Sequence, residues 1–471
     1  MEQAIFAEFP FSPTQGQKEL IAKLAAFLIS DEELPLFLLE GYAGTGKTSV
    51  VSSLVKCLQK KEVNIVLLAP TGRAAKILSN YSHHHAFTIH KKIYHTKLNP
   101  DGYLQLSLQK NREKNTLFII DEVSMIANTA YTNASGSYVQ SGLLDDLIAY
   151  VYEGQNCKML FIGDAAQLPP VGIDESPAMS IEYLKANYFL NITHHKLTDI
   201  VRQALDSGIV SNSMSVRKKI DKQPFKFPLF DKKNIFKDVA CISGEELADC
   251  LQDTYSEYGV DNAVFITRSN KRANLFNQAI RQRILFRENN LSAGDNVMVV
   301  HNNYSWIPQN NFTEFIANGD ILEILSLRNW QDMYNFSFVD ATVKMVDYPE
   351  LDSFDVKLLL DTITSENASL SFEEKNRLYQ TIAEDYADIP SKKKRQQLIK
   401  QNPYYNALQI KHAYAMTCHK TQGGQWDVVF LEKGFLKEEM LNNEYLRWLY
   451  TAITRATKKL FLINFDDKFY K

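Results

Sequence analysis

The chain has 471 residues, 45% hydrophobic and 23% charged, which supplies sizeable cores and excludes global disorder. A formal net charge of −3 excludes a uniformly basic coat, so any nucleic-acid contact must come from a local groove. At about 150 residues per domain, the length predicts roughly three domains.

The cysteines, Cys57, Cys157, Cys241, Cys250 and Cys418, are scattered without a CxxC pair. That pattern excludes a zinc ribbon or a disulfide framework and fits a reducing, cytoplasmic compartment. The opening MEQAIFAEFPF lacks the basic and then apolar segments of a signal peptide. No run of about 18 apolar residues is present, so no membrane partner is expected.

From residue 15 to about 210, short apolar runs alternate with helical patterns. Residues 37–40, 65–69, 117–120 and 158–162 read as buried strands. Residues 49–59 read as a helix with Val50, Val51, Leu54, Val55 and Leu58 on one face. Such alternation predicts an α/β fold with a parallel sheet covered on both faces. Residues 93–109 read as a β-hairpin. Its turn is NPDG, after which Leu104, Leu106 and Leu108 alternate with polar residues. The segment 128–142 is rich in Asn, Thr, Ser and Gly and reads as an extended loop.

A further helix near 245–257, a strand at 263–267 and a helix to about 283 continue the α/β pattern. From Asp295, strand candidates at 296–301, 319–325, 336–346 and 354–360 follow closely with no helix between, which predicts a small barrel. Residues 371–400 read as helical. Ser371 and Glu374 form a candidate capping box, and the basic run 392–395 reads as a solvated face. After residue 405 the α/β pattern returns. The expected organisation is a first domain over 1–212 with a hairpin insertion at about 91–112. A second α/β domain spans 213–300 and 405–471, and the barrel with its helical segment is inserted at 301–404.

Three segments carry chemistry. GYAGTGKT at 41–48 follows an apolar strand and precedes a helix, the setting of a P-loop. Gly41, Gly44, Thr45 and Gly46 would curl the backbone so that its N–H groups face phosphate at a helix N-terminus. Lys47 would reach the β- and γ-phosphates of ATP, and Thr48 would coordinate Mg²⁺. A second strand ends in Asp121-Glu122, the metal-holding and water-orienting carboxylates that hydrolysis needs. In GDAAQLPPV at 163–171, Gln167 is placed to sense the γ-phosphate, and two prolines stiffen the turn. Five histidines between His83 and His95 invite a metal reading, but no cysteine or acidic partner accompanies them.

These segments, with DEVSM, LTDIVRQA (197–204), AMTCHKTQGGQWD (415–427) and YTAITRA (450–456), occur in the order found in superfamily 1 helicases. The chain resembles the RecD-like and Dda-like branch, superfamily 1B, with its Pif-type relatives. The resemblance implies two RecA-like P-loop NTPase domains, a Src-homology-3-like barrel and a hairpin serving as a strand-splitting pin. It implies that Gln17 reads adenine, with Gln15 a close competitor. By the same resemblance Arg202 reaches the γ-phosphate, Arg455 is the arginine finger, and Gln425 stands where many relatives carry Glu beside the nucleotide. LLAPTGRAAKIL and TIH resemble strand-binding motifs, which nominates Thr71, Thr88 and His90. In the second domain the resemblance nominates His419, Lys420 and Thr421.

The implied activity is ATP-dependent DNA unwinding with 5′→3′ movement, with single-stranded DNA and duplex junctions as partners. An RNA helicase of the same superfamily, or a nucleotide-switched DNA-binding protein without unwinding, are the competing readings.

Overall fold

The computed structural model describes residues 1–98, 104–129, 131–132, 139–140, 142–201, 206–231, 236–308 and 315–470. The chain forms two compact units. One contains residues 1–93, 108–243 and 421–471, and the other residues 94–107 and 244–420.

In the first unit six strands form a wholly parallel sheet. Their spatial order is Asn191–Leu197, Pro35–Gly41, Lys158–Gly163, Thr116–Ile120, Asn64–Ala69 and Ala86–Thr88. The four strands expected from apolar runs are all present. The two flanking strands carry weaker signals, since Asn191–Leu197 (NITHHKL) is an edge with only His195 and Leu197 buried. Because every strand points the same way, their carboxyl ends share one edge, and Gly41, Asp121 and Asp164 emerge there. Ligands of open α/β sheets bind at that edge. The helix Lys47–Lys60 buries the expected face of Val50, Val51, Leu54, Val55 and Leu58. Each of these side chains contributes about 1.5–3 kcal/mol when removed from water.

A second parallel layer follows the same logic. In the first unit Val239–Ile242 pairs with Ala456–Ile463, which pairs with Trp426–Glu432. In the second unit Ala263–Thr267 pairs with Ala415–Thr417.

The second unit also holds a closed five-stranded barrel of Asn296–Val299, Ile321–Met333, Phe336–Met345, Phe354–Leu359 and Leu408–His412. Its interior is apolar, with Val297, Leu322, Val339, Val343 and Leu358 fully buried. The first and last strands lie outside the expected 301–404 insertion. Closure recruits Leu408–His412 after the helical segment, and a chain pattern that looks like renewed α/β structure conceals that return.

The helices Phe372–Glu384 and Lys392–Gln401 rest Leu378, Ile382 and Ile399 on Phe338 and Leu359 of the barrel wall. Ser371 and Glu374 form the expected capping box. The Glu374 N–H donates to Ser371 Oγ at 3.2 Å, and the Ser371 N–H donates to Glu374 Oε2 at 2.7 Å. The basic run opens the second helix with Lys392, Lys393 and Lys394 exposed, as a solvated face requires.

The strands Tyr94–Leu98 and Leu104–Leu108 form the expected two-stranded hairpin. Its base is closed by Gln109 N–H donating to Ile93 O at 2.7 Å. The NPDG turn lies outside the described residues, as does most of the loop 128–142. Asn128 itself is anchored, its Nδ2 lying 2.9–3.0 Å from Asp145 Oδ1 and the Tyr183 and Tyr188 hydroxyls. No helix among the described residues is long and apolar enough to cross a membrane.

Candidate active site

The P-loop is shaped by its glycines. Gly44 and Gly46 have φ of 75° and 80°, a region that L side chains rarely adopt. At Gly46 a side chain is doubly excluded, because a Cβ would lie 2.3 Å from Gln17 Nε2. Gly46 caps the helix Lys47–Lys60 without a side-chain hydrogen bond, so the first helical N–H groups remain for an anion. Thr45 is fully buried and its Oγ1 donates to Tyr42 O at 2.8 Å, which ties the loop's turn. Lys47 Nζ donates to Gly41 O at 2.5 Å and Tyr42 O at 3.1 Å. Gln17 stands beside the loop: its Nε2 donates to Thr45 O at 3.1 Å, and its Oε1 accepts from Thr14 N–H at 2.9 Å. It does not line the cleft. Gln15 donates to Glu19 at the exposed surface.

The cleft measures about 250 Å³ and is lined by P-loop residues including Lys47 and Thr48, by Asp121, Glu122 and Gln167, and by Gln425 and Arg455. Sequence positions more than 400 apart thus meet in one unit. Asp121 accepts from Tyr81 Oη at 2.8 Å and from the Glu122 N–H at 2.8 Å. Glu122 has φ of 52°, a conformation that costs about 1–3 kcal/mol outside glycine. Burial raises both carboxyls above their usual range. Tyr81, the Glu122 N–H and Lys47 oppose the rise at Asp121, and Arg455 opposes it at Glu122.

Arg455 is buried, with Nε donating to Thr451 O at 3.0 Å and a guanidinium N–H to Gly424 O at 3.2 Å. Gln167 is buried and its Oε1 has no hydrogen-bond partner among the described residues. An orphan acceptor facing a cleft of this kind is ready for a ligand or water proton. Arg202 lies outside the described residues. Its neighbour Val201 donates its N–H to Gly44 O at 3.1 Å, so that segment adjoins the P-loop.

Several residues that the motifs contain, but that sequence reasoning left unassigned, brace this cleft. Tyr450 accepts from the Ala43 N–H at 2.8 Å and donates to Asp164 Oδ2 at 2.6 Å. The Leu168 N–H donates to Thr451 Oγ1 at 2.8 Å, and Gln422 Nε2 donates to Leu168 O at 2.5 Å. Arg73 lies 3.8 Å over the Trp426 ring. Tyr450, Thr451 and Gln422 sit within quoted motifs, which was the available signal; Tyr81 carried none.

The residues nominated for a strand track are placed less uniformly. Thr71 caps the helix Gly72–Ser82 by accepting from Ala74 N–H, and a Cβ at Gly423 would stand 3.0 Å from its Oγ1. PTGR and TQGG therefore adjoin. Thr88 is buried and accepts from Lys91 N–H at 3.1 Å. Burial lowers His90 to about 4, so it is neutral. Thr421 is fully buried in the first unit. His419 and Lys420 belong to the second unit, where burial and then Lys411 lower Lys420 to about 8.

The donor set fits a nucleoside triphosphate and a hard divalent cation. Free helix N–H groups and Lys47 suit phosphates, while Thr48 and Asp121 offer the oxygen ligands Mg²⁺ prefers. The sheet order and this cleft are those of a P-loop nucleotide-binding fold. The AAA domain family matches residues 13–226, and the UvrD-like helicase C-terminal domain matches residues 412–463. The ATP-dependent DNA helicase Dda of Enterobacteria phage T4 is 32% identical over 146 residues, 30% of this chain and 29% of that one. The ATP-dependent RecD2 DNA helicase of Deinococcus radiodurans is 27% identical over 198 residues, 42% of this chain and 24% of that one. The chain thus spans less than a third of either relative's length. A crystal structure of Pif1 helicase from Bacteroides, in complex with ADP-AlF3 and single-stranded DNA, aligns over 98% of this chain and 95% of that one. Its identity is 17% and its TM-score 0.48.

Proposed function

We propose that the chain is an ATP-driven DNA helicase that moves 5′→3′ along one strand and separates duplexes at junctions, in a reducing cytoplasmic compartment. The observation that carries this reading is the single cleft where Lys47, Asp121, Glu122, Gln167 and Arg455 converge. Lys47 and the P-loop N–H groups bind the β- and γ-phosphates. Thr48 and Asp121 would hold Mg²⁺, which would supply charge neutralisation at those phosphates. Glu122 orients the attacking water and takes its proton, aided by a carboxyl that burial makes more basic. Gln167 accepts from that water through Oε1 or donates from Nε2 to the γ-phosphate, and Arg455 offsets charge developing on the transferring group. Gln425 lies beside the nucleotide.

Gln17 acts through the loop. Its amide fixes Thr45, and its place behind the P-loop leaves adenine contact to a rearrangement of that amide or to the exposed Gln15. Arg202 completes the γ-phosphate contacts by resemblance. Thr71 and the adjoining TQGG turn supply part of a strand track in the first unit, with Thr88, His90 and Thr421 as its further members there, and His419 and Lys420 are strand contacts of the second unit by resemblance. The hairpin is the pin.

Duplexes with a 5′ or a 3′ tail, each with DNA or RNA as the loading strand, test the reading. Unwinding of the 5′-tailed DNA substrate alone is expected. A 3′ preference removes the polarity, an RNA preference favours the RNA-helicase reading, and strand binding with ATPase but no unwinding favours a nucleotide switch.

A further inference from the structure

The second unit holds a cavity of about 520 Å³, between the barrel loop that begins at His301, the last barrel strand and the two helices. This is larger than a lone phosphate needs and lies within the usual range of small-ligand sites, about 300–1,000 Å³. Two cations face it, Lys375 from the first helix and Lys400 from the last turn of the second, and no carboxylate among the described residues lines it. Two aromatic rings contribute, Tyr304 and Tyr405.

The walls are braced. Tyr304 packs on Phe315 with centroids 4.9 Å apart, and Tyr405 meets Tyr379 at 6.0 Å. Asn303 Nδ2 and Trp306 Nε1 both donate to Asn406 O at 2.7 Å. Gln409 Oε1 accepts from the Leu370 N–H at 2.9 Å, which fixes that amide at the cavity wall. A preformed wall lowers the ordering cost of binding.

We propose that this cavity binds a nucleotide unit, with its phosphate between Lys375 and Lys400 and its base against Tyr304 and Tyr405. Two ammonium groups at one cavity select an anion. Tyrosine faces select a planar ring, and any base offers one. Burial lowers Lys400 to about 8, so a phosphate there replaces solvation that the lysine has partly lost. The unit comes from a passing single strand or from a free nucleotide. For the strand source alone, the inference rests on the DNA-binding reading.

The test uses the full chain and the Lys375→Gln/Lys400→Gln pair, with Lys375→Gln alone as a milder change. Binding of labelled oligothymidylate, without added nucleotide, is followed across salt concentrations. A parallel titration measures AMP binding in a Lys47→Ala background. If the strand supplies the unit, the log–log salt slope of the double variant becomes shallower by about 0.7, the contribution of the one phosphate no longer neutralised. DNA-free ATPase should stay at the wild-type rate. If a free nucleotide supplies it, the salt slope is unchanged and AMP binding is lost in the double variant. Unchanged slope and unchanged AMP binding in folded variants overturn the proposal. A wild-type chain that binds no strand removes the helicase reading, and the AMP arm then decides the cavity alone.

Discussion

The nucleotide cleft and the inserted barrel stabilise themselves in opposite ways. In the cleft, polar groups are satisfied by one another: Tyr450 bridges Ala43 and Asp164, Tyr81 holds Asp121, and Arg455 spans Thr451 and Gly424. The barrel is closed around an aliphatic interior of Val297, Leu322, Val343 and Leu358. A hydrogen-bonded network loses function when one atom is removed, because the abandoned partner is left buried and unpaired. The aliphatic core of the barrel contains neither Lys375 nor Lys400, so those two lysines can be altered to isolate binding from folding.

The largest expected effect is in the cleft. Lys47→Ala should abolish ATP hydrolysis, and Glu122→Gln should abolish turnover while still binding ATP and single strands. DNA-stimulated phosphate release measures both, and wild-type turnover in either variant would contradict the site. Arg455→Ala should lower the rate by about 10³–10⁵-fold, the range of an arginine finger. A smaller loss, accompanied by a lowered melting temperature, would make Arg455 a brace of the Gly424 turn instead.

Much of the cleft was legible because phosphate chemistry constrains residue type at each step of a loop. Gly46 must be glycine, as its positive φ and its approach to Gln17 demand. Asp121 and Glu122 must follow a buried strand. Tyr81 was illegible because the helix Gly72–Ser82 gives no sign of which turn faces Asp121. Likewise, the pairing of Leu408–His412 into the barrel depends on closure, a non-local property that no short window contains. Gln17 shows the converse: a motif position was visible, but its contact with Thr45 was not.

The hairpin gives an effect confined to one activity. Replacing residues 98–106 by a short Gly-Ser turn should leave DNA-stimulated ATPase and single-strand translocation largely intact while unwinding fails. Full unwinding by that variant would show that the hairpin does not split strands. Tyr450→Phe should be milder. It leaves the Ala43 N–H and Asp164 Oδ2 without their shared partner, at a cost of about 1–3 kcal/mol. We expect kcat/KM for ATP to fall by about tenfold. An unchanged kcat/KM with a lowered melting temperature would confine Tyr450 to structure.

The smallest expected effect lies in the barrel and depends on pH. Asp320 is buried at the start of the strand Ile321–Met333, and burial raises its carboxyl to about 7. The Ala317 N–H, 2.7 Å from Oδ2, opposes the rise, and the Asp347 charge adds to it. The folded state therefore keeps a proton that the unfolded chain releases near its ordinary value of 3.8. Stability from this group is fully present below that ordinary value. It is lost as pH rises through about 7. Asp320→Asn keeps a carbonyl acceptor for Ala317 and removes the ionisation, so its melting temperature should exceed wild type above neutrality. The advantage should shrink and vanish as the pH is lowered. Melting curves of the full chain across that interval decide the matter: a constant offset between the two proteins would mean that Asp320 does not titrate between folded and unfolded states.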